Sequence, residues 1–355
     1  MSELAPLENA DRRSGRGASP AEPPARLAAG DRFPEFILPD QADKARHFSE
    51  RAQGRGLVIV LDPDPACIAS LTDLAADYAA AVIDRIAIAA SASADPGFPV
   101  LADSAGKIRA SLREMCGHPG DAPLAFLLDR NQRILDLHDG AGAAQWALAR
   151  WREEPGPAPA HQVSEIAPVL IVPNVLSRAQ CRALIARWQT EGNEPGFVNS
   201  LVEGEQVRRV YEDLKKRRDH RLSDPAVKNP LLALIGRRLA PELDKAFHFR
   251  SFAFDRVLIA CYDSERGDYF RRHRDNQTPD TAGRRFALTL NLNSEDYEGG
   301  ELLFPEYGEA RYKPPTGGAI LFSCSLLHEA LPAVRGQRFA LLSFLRDAAA
   351  AARRR

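Results

Sequence analysis

Hydrophobic patterning divides the chain into two textures. Before residue 150, short unbroken apolar runs, "LVIVLD" (57–62), "RIAIAAS" (85–91) and "LAFLLD" (124–129), alternate with Ala/Leu-rich stretches of helical period such as "IASLTDLAADYAAAVI" (68–83). Buried strands spaced by helices predict an α/β unit. Beyond residue 251 the runs "FDRVLIACY", "FALTLNLN", "ELLFPE", "GAILFS" and "RFALLSFL" are β-rich and punctuated by Gly, Pro, Asn and Asp. They predict an antiparallel barrel or jelly roll. In front of it, "SRAQCRALIARWQ" (177–189) reads as a helix capped by Ser177, and "PLLALIGRRLAPELDKAF" (230–247) as a pair of helices.

Composition places the boundaries. Residues 1–28 are rich in Pro, Ala, Gly and charge without apolar period, which predicts a mobile arm. "REEPGPAPAHQ" (152–162) holds three prolines in a polar run and reads as a linker. The expected organisation is therefore an arm (1–28), an α/β domain (29–150), a linker (151–163), a β-rich domain (164–347) and a basic tail (348–355). A chain of 355 residues suits two domains. Its net charge of -1 gives no reason to expect a nucleic-acid partner. The basic run "RRVYEDLKKRRDHR" (208–221) is interrupted by Glu212, Asp213 and Asp219 and is expected to be a solvated helix face. Five cysteines, odd in number and without a C-x-x-C pair, suit thiols in a reducing cytoplasm, and no run of 18 apolar residues predicts a membrane span. The oligomeric state is not readable, and a dimer stays open.

The candidate chemistry centres on "YFRRHRDN" (269–276). With eight histidines, roughly half an H-x-D is expected by chance in such a chain, so His273 and Asp275 need further support. In a strand they would project to one face, with Arg274 between them turned away and dispensable. Downstream, His328 follows the run "GAILFS" and Arg338 opens the next run ten residues later. Two His and one carboxylate leave three metal positions open, as Fe(II) needs for a cosubstrate and O2; zinc is the competing metal. A guanidinium beyond the metal would clamp the far end of a dicarboxylate, which points to 2-oxoglutarate. Lone histidines such as His220 and His248 are more simply satisfied structural residues, and "EGGE" (298–301) a turn whose glycines permit positive φ.

The segments "ACYDSERGDYFRRHRDN" and "YEGGELLFPEYGEARYKPPTGGAILFSCSLLHEALPAVRGQRFALLSFL" resemble the catalytic core of the prolyl 4-hydroxylase type of Fe(II)/2-oxoglutarate dioxygenases, over roughly residues 165–347. The resemblance implies a double-stranded β-helix in which His273, Asp275 and His328 ligate Fe(II), Arg338 binds the distal carboxylate of 2-oxoglutarate and the Tyr262 hydroxyl reaches the cosubstrate. It implies hydroxylation of a peptidyl proline or a small molecule with release of succinate and CO2, and ascorbate as a further ligand. Asn291 stands where oxygen-sensing relatives carry a Tyr, which puts a second contact to the distal carboxylate in question. The Gly- and charge-containing "YDSERGDY" before the metal strand is expected to be a mobile substrate lid.

The segments "AAGDRFPEFILPDQADKARHFSE", "VIVLDPDPACIASL", "FPVLADSAGKIRASL" and "LAFLLDRNQRIL" resemble the peroxiredoxin branch of the thioredoxin-like fold over about 28–148. Cys67 falls where that family places its peroxidatic thiol, and Cys116 is a conceivable resolving partner. Two positions depart from the pattern: Asp64 replaces a Thr three before the Cys, and Pro123 lies near the place of an expected Arg. A second functional reading is thus a thiol sensor or peroxidase using Cys67, with the C-terminal part as a binding module.

Overall fold

The computed structural model describes residues 26–51, 54–92, 95–156, 159–160, 162–202, 205–209 and 213–348. The arm expected over 1–28 lies outside these residues up to 25, as does the tail from 349 on. Leu27, inside the expected arm, is packed: its N–H donates to Met115 O (2.7 Å) and its side chain meets the first core.

The first unit is a mixed five-stranded sheet built from β1 (Gly56–Leu61), β2 (Ile83–Ala89), β3 (Val100–Ala102), β4 (Leu124–Leu128) and β5 (Ile134–Asp139). Its order is β3-β2-β1-β4-β5, with β1, β2 and β3 parallel and β4 and β5 antiparallel. Helices α1 (Pro65–Asp73), α2 (Ala75–Ala80), α3 (Lys107–Cys116) and α4 (Ala143–Trp151) cover it. Leu57, Ile59 and Leu61 of β1 face one core with α3 residues, and Val58 and Val60 face the other with Leu71, Tyr78 and Trp151. Burial on both faces is why "LVIVL" (57–61) is apolar at every position rather than alternating. This is the thioredoxin-like α/β unit expected.

The second unit packs two sheets face to face. The larger comprises β6 (Val169–Val172), β7 (Glu194–Pro195), β9 (Arg218–Arg221), β10 (Phe252–Asp263), β12 (Arg284–Asn291), β15 (Ala319–Ser323) and β17 (Gln337–Asp347), in the order β6-β15-β12-β17-β10-β9-β7. The smaller comprises β8 (Lys215–Lys216), β11 (Tyr269–His273), β13 (Leu302–Leu303), β14 (Arg311–Tyr312) and β16 (His328–Ala330), in the order β8-β11-β16-β13-β14. Alternation along β10 assigns the faces: Val257, Ile259 and Cys261 meet the helices, while Ala260 and Tyr262 point between the sheets. The jelly-roll expectation holds.

Helix α5 (Arg178–Thr190) has the anticipated Ser177 cap, completed by Gln180 into a capping box. The helix pair expected at 230–247 is instead one helix, α6 (Pro225–Phe247), running through Pro230 and Pro241. Each proline removes one hydrogen bond, and burial of Ile235, Leu239 and Leu243 along one face keeps the helix whole.

Helix α6 also joins the units. Asp31 accepts from Arg238 Nε (3.1 Å) and pairs with Arg237 (3.0 Å), while Glu242 pairs with Arg32 (2.8 Å) and accepts from Asn131 Nδ2 (2.6 Å). Asp31 and Glu242 are both buried.

Candidate metal centre

Strand β11 ends at His273 and β16 begins at His328, and the two are cross-strand partners in the smaller sheet. Asp275 is not on the strand, contrary to the expectation of a simple in-strand pair. It sits in the turn after β11, where its N–H donates to Cys324 O (2.9 Å), and this turn brings the carboxylate back over both rings. His273 Nε2 lies 3.5 Å from Asp275 Oδ1, and His328 Nε2 lies 3.4 Å from Oδ2. One ligand atom from each of the three lies within 4.8 Å of the others.

The rings are fixed in the tautomer a metal needs. His273 Nδ1 contacts Arg271 O (2.7 Å) and His328 Nδ1 contacts Leu326 O (3.1 Å). A carbonyl only accepts, so Nδ1 carries the proton and the Nε2 lone pair is left for the common point. Phe270 stacks on His273 at 3.5 Å and Phe322 meets His328 edge-on at 4.6 Å, which restricts both rings. Burial pushes the His328 imidazole down to about 4 against the pull of Asp275, so it is neutral at ordinary pH. Burial alone would raise the Asp275 carboxyl, but His328, His273 and Arg284 hold it well below the usual carboxylate range. Two imidazoles and a carboxylate converging on one point form a donor set that fits a divalent metal.

These groups floor a cavity of about 380 Å³ between the sheets. Tyr262 and Arg338 also line it, both about 2 % exposed. Arg338 keeps Nε and Nη1 buried without a hydrogen-bond partner, and the Tyr262 hydroxyl accepts from Arg217 Nη1 (2.5 Å). Gly300, with φ +67°, explains the "EGGE" turn: a Cβ there would come within 3.1 Å of Arg338 Cδ. Asn291 does not line the cavity; its Nδ2 donates to Ser294 Oγ (3.0 Å), Tyr297 OH (3.2 Å) and Pro314 O (3.2 Å). His220 and His248 are structural, the first against Gly192 O and the second capping α6.

Three expectations fail here. Arg274 does not turn away: it pairs with Glu306 (2.7 Å), bonds Ser325 O and lines the cavity. The lid expected at 262–269 is stapled, because fully buried Asp268 accepts from Asp263 N (3.0 Å) and Arg266 Nη2 (2.6 Å). The basic run 208–221 is no solvated helix in its described part. It forms β8 and β9 and buries Lys215 and Arg217 in the cavity wall around Asp219. Charge alone hid this, although the alternation of Lys215, Arg217 and Asp219 is the period of a strand.

Cys67 lies elsewhere, in the first turn of α1, where its N–H donates to the capping Asp64 (2.7 Å). Burial and the Asp64 carboxylate push its thiol up to about 11. Cys116 is buried, and both are free thiols.

Residues 257–346 match the family model described as the 2OG-Fe(II) oxygenase superfamily. A PKHD-type hydroxylase of Burkholderia cenocepacia is 30 % identical over 206 residues, covering 50 % of this chain and 80 % of that protein. Among solved structures, a Pseudomonas putida prolyl-4-hydroxylase is similar at 23 % identity and TM-score 0.39, over 51 % of this chain and 93 % of that one. Peroxidoxin BcpB from Mycobacterium tuberculosis is similar at 22 % identity and TM-score 0.32, over 37 % of this chain and 100 % of that one. With four-fifths of a 30 % identical hydroxylase spanned and the donor set in place, the chain belongs to the 2OG-Fe(II) oxygenase superfamily, whose chemistry uses Fe(II), 2-oxoglutarate and O2.

Proposed function

We propose that this chain is a hydroxylase in which His273, Asp275 and His328 hold Fe(II), and Arg338 receives the distal carboxylate of 2-oxoglutarate. The observation that carries the reading is the pairing, in one cavity, of a three-donor cluster with a buried guanidinium whose Nε and Nη1 lack a hydrogen-bond partner. A buried cation whose donors are unsatisfied is costly until an anion meets it. Once bound, the metal and cosubstrate supply C–H oxidation with release of succinate and CO2.

The remaining work falls to the chain. The Nδ1–H contacts to Arg271 O and Leu326 O hold both imidazoles in the binding tautomer. Arg217 orients the Tyr262 hydroxyl beside the cosubstrate position. Phe270, Phe322 and Phe344 keep the chamber apolar around the reacting carbon. The acceptor is a peptidyl proline or a small molecule, and ascorbate belongs to the reading as an auxiliary reductant. The reading takes residues 29–150 and 164–347 as separate domains joined at 151–163, and a cytoplasmic setting, which the five free cysteines support. The thiol-peroxidase alternative has little to support it, since Cys67 faces a carboxylate and is held protonated.

The test is anaerobic addition of Fe(II) and 2-oxoglutarate. A weak visible charge-transfer band is expected that His273→Ala abolishes. Absence of the band from the wild type, with no succinate formed under air, overturns the reading.

A further inference from the structure

Arg338 has an assigned anion under the hydroxylase reading, and a second guanidinium in the same cavity does not. Six basic side chains line the chamber: Lys215, Arg217, Arg256, Arg274, Arg284 and Arg338. Lys215 and Arg217 share Asp219, Arg274 pairs with Glu306 and Arg284 with Asp255. Arg256 has no ion pair among the described residues, and its Nε is buried without a hydrogen-bond partner. It rests 5.4 Å from the centre of the Phe344 ring. Burial first, then Arg284 and Arg217, push its guanidinium down to about 10, the direction expected of a cation short of counter-charge.

Position separates the two arginines. Arg256 and Tyr262 are six residues apart on β10, about 20 Å along a strand at its usual rise, and Tyr262 is paired with Arg338. One small dianion held at Arg338 does not reach Arg256. The charged groups acting on Arg256 are Arg284, Arg217, Asp219 and Asp275; Asp275 belongs to the donor cluster, and Arg217 reaches on to the Tyr262 hydroxyl. The chamber therefore holds, beside the three donors, two guanidiniums without a carboxylate partner that stand at separate places along β10.

Charge fixes the kind of occupant. A divalent metal and a dianionic cosubstrate cancel, Asp275 offsets one of the two free guanidiniums, and at least one positive charge is left, with a second whenever Lys215, which shares the single Asp219 with Arg217, is protonated. We infer that Arg256 binds the carboxylate of the molecule to be oxidised, and that this molecule is a small monocarboxylic acid rather than a neutral residue inside a peptide. The inference rests on the hydroxylase reading. It deepens that reading by giving the acceptor a charge and a position: its carboxylate at Arg256, its reacting carbon over His273, Asp275 and His328. A guanidinium fork meeting a carboxylate in a shielded pocket supplies orientation as well as affinity.

The experiment uses the full chain loaded with Mn(II) and 2-oxoglutarate. Monocarboxylic acids, each paired with its carboxamide and including N-acetyl-L-proline and N-acetyl-L-prolinamide, are titrated in beside acidic decapeptides. Binding is read by water-proton relaxation at Mn(II) and by thermal shift. At least one acid is expected to bind tenfold or more tightly than its amide. Arg256→Met should shrink that difference to within twofold, Arg256→Lys should restore part of it, and the 2-oxoglutarate Kd should move less than twofold in both. The inference is overturned if no acid outperforms its amide, if the preference survives Arg256→Met, if only the peptides bind, or if Arg256→Met weakens 2-oxoglutarate as much as Arg338→Met does. Failure of the wild type to take up Mn(II) and 2-oxoglutarate overturns the hydroxylase reading itself, and is seen before any acid is added.

Discussion

Tyr262 and Arg338 are cross-strand partners on β10 and β17, and the Arg338 guanidinium carbon lies 5.0 Å from the centre of the Tyr262 ring. The ring holds the cation by its face and leaves Nε and Nη1 for an anion. Arg338→Met should therefore raise the 2-oxoglutarate Kd by roughly 30-fold or more, given about 1.5–3 kcal/mol for each hydrogen bond to a charged group. Fe(II) binding, read by titration without cosubstrate, should stay within about threefold of wild type, since Arg338 contributes no ligand. Equal loss of both would make Arg338 a structural residue.

Gly300 should report on the same site without altering any charge. Its φ of +67° and the 3.1 Å approach to Arg338 Cδ mean that Gly300→Ala both strains the turn and displaces the arginine. A raised 2-oxoglutarate Kd with unchanged metal affinity is expected; an unchanged Kd would show that the arginine adapts freely.

Asp275→Ala removes one of the three proposed metal ligands and leaves His273 and His328 with no anion between them. Fe(II) affinity should fall by more than the ~10–100-fold that loss of outer partners usually costs. Competition with a calibrated chelator measures it, and a fall of less than tenfold would exclude Asp275 as a ligand.

Much of this centre was legible in the chain. The order and spacing of His273, Asp275, His328 and Arg338 pointed to residues that the fold does bring into one cavity, and the long runs that became β10, β12 and β17 announced their sheet. What escaped depended on the third dimension. Lys215 and Arg217 look like surface charge until Asp219 and the Tyr262 hydroxyl are found beside them. The "YDSERGDY" segment has a loop's composition, and only the burial of Asp268 shows it to be pinned. Pro230 and Pro241 argue locally against a continuous helix, and packing of α6 overrides them.

Lys215 makes folding depend on pH. Asp219 gives Arg217 close contacts at 2.7 and 3.2 Å and Lys215 a long one at 3.4 Å, so the lysine is the cation left short. Burial, then Arg217, lowers it from 10.5 to about 7. Between these values the unfolded chain binds the extra proton. The contribution to stability is thus complete above about 10.5 and is lost as pH falls towards 7, with a limiting slope of about 1.4 kcal/mol per pH unit. Urea unfolding of wild type and Lys215→Met across pH 7 to 10 should show this slope only in the wild type; parallel curves would remove Lys215 as its source.

Cys67 should behave as an ordinary hindered thiol. Raised from 9.0 to about 11, it carries about 100-fold less thiolate than an unperturbed cysteine at neutral pH. Iodoacetamide labelling followed by mass spectrometry should be slower than for a free cysteine peptide by about that factor, and Cys67→Ser should leave peroxide consumption unchanged. Fast labelling at pH 7 would reopen the thiol reading.

Helix α6 sets how the chain can be dissected. Its Arg238 and Glu242 use Asp31, Arg32 and Asn131 as counter-groups, and those residues lie 207, 210 and 111 positions earlier in the chain. An oxygenase fragment begun after residue 163 would lose the counter-groups of Arg238 and Glu242 and open that face of α6 to water. The first unit thus supplies the cover for one charged face of α6, a structural part that needs no chemistry from Cys67.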